Sequence, residues 1–183
     1  MIDRERGILT FIWITYGKFI TAAAALRNHR PEVIAGIVMR ESEGGLSKLL
    51  KDEFGNPTTG PAGIGDNGHG YGLGQIDSRS FPEFIVSGDW KDAKKNIFKI
   101  AAILALKRIY LRATLVDRDI AQGEFERLSI IAYNLGEGNT RKAVELGTNP
   151  DTLTAHGNYG CEVLRLAEIY KDVRAETTMQ ATT

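Results

Sequence analysis

Cysteine is nearly missing from this chain: Cys161 is the only one in 183 residues. No intramolecular disulfide can form, so the fold must be held by packing, and disulfide-stapled scaffolds are excluded. An excess of charge of one sign is missing too, because 23 basic residues cancel 23 acidic ones. No global field draws the chain to nucleic acid or to a membrane surface, and neither is an expected partner. The three histidines, His29, His69 and His156, are far apart in sequence. No cluster has metal-ligand spacing, so no metal and no cofactor are expected. No run approaches the roughly 18 uninterrupted apolar residues of a spanning helix, so stable membrane insertion is not expected. Residues 8–16 are apolar, and Ala22 to Ala25 imitate a cleavage site. However, Asp3-Arg4-Glu5-Arg6 carries no net positive charge and Lys18 interrupts the run, so the segment is no convincing signal peptide. Residues 5–28 are read as a buried structural helix.

The apolar content of 43% and charged content of 25% suit one globular domain with a sizeable core. The reading is a single monomeric domain over 1–175 with a frayed polar tail over 176–183. Helical periodicity covers 31–42, 90–116, 124–135, 140–146 and 159–173, with another turn or two over 46–54 and a short helix over 80–85. Eight glycines with Pro57 and Pro61 between 55 and 74 exclude a long helix there and leave turns and short strands. The expected class is mainly α, of α+β type. Cys161 is expected to be an inert buried thiol of the last helix.

The most informative segment is Gly65-Asp66-Asn67-Gly68-His69-Gly70-Tyr71-Gly72-Leu73-Gly74-Gln75-Ile76-Asp77. Such a loop buries little apolar surface; its glycines allow tight turns and close approach by another molecule. Upstream, Glu41 follows Ile34, Ile37 and Val38 at seven, four and three positions, so it continues the apolar stripe of its helix. Desolvation and the negative end of the helix dipole both disfavour its anion. A carboxylic acid held protonated near neutral pH can protonate a glycosidic leaving oxygen. The plainer alternative is a surface glutamate paired with Arg40 or Lys48. Asp66 and Asp77 have turn capping as their plainer role. Their span also matches a calcium loop in length, but Gly68 and Gly70 offer no side-chain oxygen at positions three and five.

Four blocks together resemble goose-type lysozyme, in the family's order, across roughly residues 31–171. They are Glu41-Ser42 after its apolar run, the Gly65–Asp77 loop, Ala132-Tyr133-Asn134-Leu135-Gly136-Glu137-Gly138-Asn139, and Asn158-Tyr159 opening a last helix. The resemblance implies a lysozyme-like fold with a small antiparallel sheet as one cleft wall, and a bacteriolytic muramidase acting on peptidoglycan, with chitin oligomers as poor substrates. It implies Glu41 as general acid and Asp66 and Asp77 as residues that position or activate a water, with the principal base undecided. Gln75, Tyr133, Asn134 and Tyr159 become candidate sugar contacts. A held water requires inversion and an acid-to-base gap of roughly 6.5–9.5 Å. Action would be at the bacterial wall, and the lack of disulfides suits a bacterial or phage source.

Two departures from the family pattern stand out. The chain is longer between Ser42 and Asp66, so 46–62 could reshape access to the cleft or form a lid. Gly74 replaces a usual bulkier Met, which is expected to loosen packing or widen the site. A lytic transglycosylase shares the helix-end Glu-Ser and a Gly-Leu-x-Gln segment but generally needs no aspartates. A non-catalytic wall-binding module is the alternative from another class.

Overall fold

The computed structural model describes residues 2–180, with the side chains of Ile2 and Gln122 left aside. It is a mainly helical α+β fold: α1 (Ile2–Arg27), α2 (Pro31–Ser42), β1 (Ile64–Gly65), β2 (Gly70–Tyr71), β3 (Ile76–Asp77), α3 (Pro82–Val86), α4 (Ala93–Thr114), α5 (Gln122–Leu135), α6 (Glu137–Glu145) and α7 (Tyr159–Gln180).

Helix α2 is the centre of the molecule. Pro31 opens it at the position where a missing N–H costs nothing. All seven residues from Val33 to Met39 are buried, which is why its sequence is apolar all round rather than striped. Gly36 lets α7 lie close: a Cβ there would sit 2.6 Å from the carbonyl oxygen of Val163. Helix α1 contributes Leu9, Ile12 and Ile20 to the same core, and α4 contributes Ile97, Ile100 and Leu104. By length and composition alone, residues 3–27 would be long and apolar enough to cross a membrane; here this helix packs into the core. A second, smaller cluster of Leu111, Leu115, Leu128 and Ala132 joins the end of α4 to α5.

Helix α2 stops because Glu43 turns left-handed (φ 52°) and returns its N–H to Met39 and Val38. Gly45 then passes so close to Gly60 that a Cβ would meet its carbonyl oxygen at 2.4 Å. The three strands pair in order β1-β2-β3, all antiparallel, with Gly65 opposite Gly70 and Tyr71 opposite Ile76.

Three expectations are corrected. Residues 46–54 form no helix. Lys51 instead exchanges both backbone hydrogen bonds with Ile64 (2.9 and 2.8 Å) and bridges Pro57, adding a rung to the sheet edge. The Asp52 carboxylate closes the turn by accepting from the N–H groups of Phe54 and Asn56. The last helix extends past 176, where a polar tail is expected to begin, to Gln180; residues 181–183 lie outside the described residues. Cys161 is exposed, since it lies two positions before the buried Val163 and so on the opposite side of α7.

Candidate active site

Glu41 occupies the last turn of α2 and lines a cavity of about 480 Å³. The cavity is also lined by Asp66, Gln75, Asp77, Tyr133 and Asn134. Six of the seven candidate residues are thus brought to one cleft. The seventh, Tyr159, is 2% exposed and stands behind the acid rather than on the cleft surface. Its hydroxyl donates to Glu41 Oε1. Neither Arg40 nor Lys48 pairs with Glu41. The Arg40 guanidinium stacks over the Tyr159 ring, 5.9 Å from its centroid, and its Nε is buried without a hydrogen-bond partner.

Burial dominates the protonation of Glu41 and raises its pKa to about 7. The Tyr159 hydroxyl and the Arg40 charge oppose this and are outweighed, while the Asp66 charge adds to it. Tyr133 and Tyr159 are held far above the usual phenol range by burial and by Glu41, so both stay protonated donors.

The loop facing the acid is fixed by side chains from three helices. The Ser42 hydroxyl of α2 lies 2.8 Å from the Leu73 carbonyl. Asn96 of α4, fully buried, accepts from the Gly74 N–H (2.9 Å) and donates to the carbonyls of Tyr71 and Trp90. The Tyr133 hydroxyl of α5 donates to the Gly74 carbonyl at 2.8 Å. Gln75 works inside the loop, donating to the carbonyls of Gly72 (2.7 Å) and Gly63 (3.3 Å). Its Oε1 lies where Cβ atoms on Gly65 or Gly70 would stand, at 2.3 and 2.6 Å, which accounts for both glycines. Gly74 does not loosen the site: a Cβ there would meet Ile100 Cγ1 at 2.5 Å and the Tyr133 hydroxyl at 2.8 Å. The loop is tightly packed because position 74 is glycine.

The two aspartates differ. Asp77 accepts from Arg79 Nε (2.9 Å) and from the Ser80 hydroxyl (2.8 Å). Burial works against its anion, but these bonds prevail and hold its pKa below the ordinary carboxylate value. Asp66, exposed on the cleft wall in a left-handed conformation (φ 47°), makes no side-chain hydrogen bond or ion pair among the described residues. Asn134, on the cavity lining, accepts from the Ala155 N–H through Oδ1. Sequence reasoning missed Phe81, Ile103, Arg79 and Lys107, which also line the cavity. Lys107 pairs with Glu137 of the Tyr133-to-Asn139 block, a contact across 30 residues that local pattern does not reveal. Among the described residues, no three His, Cys, Asp or Glu side chains gather as a metal site.

No family model matches the chain. It is 34% identical over 142 residues to lysozyme g of Casuarius casuarius, covering 77% of this chain and 64% of that protein. It is 33% identical over 145 residues to lysozyme G of Dromaius novaehollandiae (77% and 58%) and over 143 residues to lysozyme g of Gallus gallus (77% and 56%). The architecture is thus a mainly α, lysozyme-like fold. By sequence, the matched stretch is related to the goose-type lysozymes. The chain spans about three-fifths of the length of these relatives.

Proposed function

We propose that the chain is a peptidoglycan muramidase that hydrolyses the β-1,4 bond between N-acetylmuramic acid and N-acetylglucosamine with inversion, acting at the bacterial cell wall. The observation that carries this reading is Glu41: a half-buried carboxyl with a pKa of about 7 that lines one cavity together with two carboxylates. In this reading the proton of Glu41 passes to the glycosidic oxygen as the bond from the anomeric carbon to that oxygen breaks. A water attacks the anomeric carbon from the opposite face and gives its proton to an aspartate. The aspartate then releases that proton to solvent, and solvent returns one to Glu41. Asp66 is the better base, because its carboxylate is uncommitted, while Asp77 spends both oxygens on Arg79 and Ser80. Asp77 serves as the second holder of the water. The Asn134 amide and the apolar face of Phe81 supply sugar contacts; Tyr133 and Gln75 shape the wall from within, and Tyr159 orients the acid.

Proton NMR of the first products from a β-linked fragment tests the mechanism. The α anomer should appear first. Asp66→Asn should cost more rate than Asp77→Asn, and the double variant more than either. Initial β product, or a trapped glycosyl-enzyme adduct, would refute it.

A further inference from the structure

The added segment 46–62 is bonded to the body of the protein along its length. It lies on the edge of the sheet through the Lys51–Ile64 pair, the Thr58 N–H to Leu50 carbonyl bond (3.1 Å) and the Gly60 N–H to Gly45 carbonyl bond (2.8 Å). Glu53 ties it to Lys91 at 2.9 Å. Between this segment and the first turns of the sheet lies a second cavity of about 740 Å³, within the size of ligand clefts. Asp66 lines both this cavity and the one holding Glu41. The two therefore meet at Asp66.

We propose that this groove extends the glycan-binding cleft, taking saccharide units of the strand beyond those held between Glu41 and Asp66; the inference rests on the muramidase reading above. The lining fits a neutral, hydroxyl- and amide-rich chain. Tyr71 offers an aromatic face held in place by Trp90, edge to face with centroids 4.8 Å apart. Leu49, 83% exposed, adds an apolar surface, and the backbone of Gly65 and Gly68 with the Asn67 amide offers hydrogen bonds. Among the described residues, Lys51 is the only basic one on this lining, which also carries Asp52, Glu53 and Asp66, so a phosphate or other polyanion is a poor occupant. The sugar units nearest Glu41 and Asp66 would thus direct the rest of the strand along the added segment.

The test compares parent and Leu49→Asp, a change at an exposed side chain that leaves the core untouched. Their kcat/KM values are measured on N-acetylglucosamine hexamer and tetramer. The hexamer-to-tetramer ratio should fall at least about threefold in Leu49→Asp, and an unchanged ratio overturns the inference. Backbone amide NMR of the parent gives the second arm. Hexamer should shift residues 49–53 and 64–68 at concentrations where the dimer leaves them in place; absence of those shifts also overturns it. If the parent cleaves neither wall nor oligomers, the muramidase reading fails on its own, and the NMR arm still decides whether the groove takes a glycan.

Discussion

Replacing Glu41 by Gln should stabilise the protein at neutral pH while removing its chemistry. The native pKa is about 7 against an ordinary 4.5. The folded state therefore keeps a proton that the unfolded chain loses, and stability falls as pH rises from about 4.5 to about 7. At about 1.4 kcal/mol per pKa unit, the carboxyl costs at most about 3 kcal/mol above pH 7, an upper value because Glu41 opens on a wet cleft. Gln keeps the shape, accepts from Tyr159 through its amide oxygen and carries no charge. For a domain of this size that upper value corresponds to a gain of at most about 6–12 °C in Tm. Thermal unfolding of parent and Glu41→Gln at pH 4 and pH 8 measures it. The two should melt together at pH 4, and the variant higher at pH 8. An equal difference at both pH values, or a variant that melts lower at pH 8, would refute the assignment of a destabilising buried acid.

The remaining predictions concern the same contacts. The pH dependence of kcat/KM should show a basic limb near pH 7 as Glu41 loses its proton. Tyr159→Phe, which removes the hydroxyl that favours the anion, should move that limb upward; a downward shift would contradict the hydrogen bond's role. Gly74→Ala should cost about 1–3 kcal/mol in urea unfolding, because its Cβ has no space against Ile100.

The legible part of this site was what local pattern encodes. Glu41 could be read because three buried residues of its own helix, Ile34, Ile37 and Val38, mark its face. The loop could be read because glycines at such density have few uses. What escaped depends on distant pairing. Tyr159 lies 118 residues from Glu41, and nothing near it says that its ring is buried behind the acid. Residues 46–54 have a helix-compatible pattern, but the edge of β1 claims Lys51, and tertiary pairing overrides local preference. Cys161 is the opposite case. Its offset from Val163, Leu166 and Tyr170 already placed it on the outer face, and residue type was given too much weight against periodicity.

The central claim is that Glu41 donates the proton in a hydrolysis of peptidoglycan. Mass spectrometry of isolated cell wall treated with parent and with Glu41→Gln tests it most directly. The parent should release fragments ending in reducing N-acetylmuramic acid, and the variant should be slower by about two to four orders of magnitude. Anhydro-sugar ends, no release by the parent, or more than about a tenth of parental activity in Glu41→Gln would contradict it.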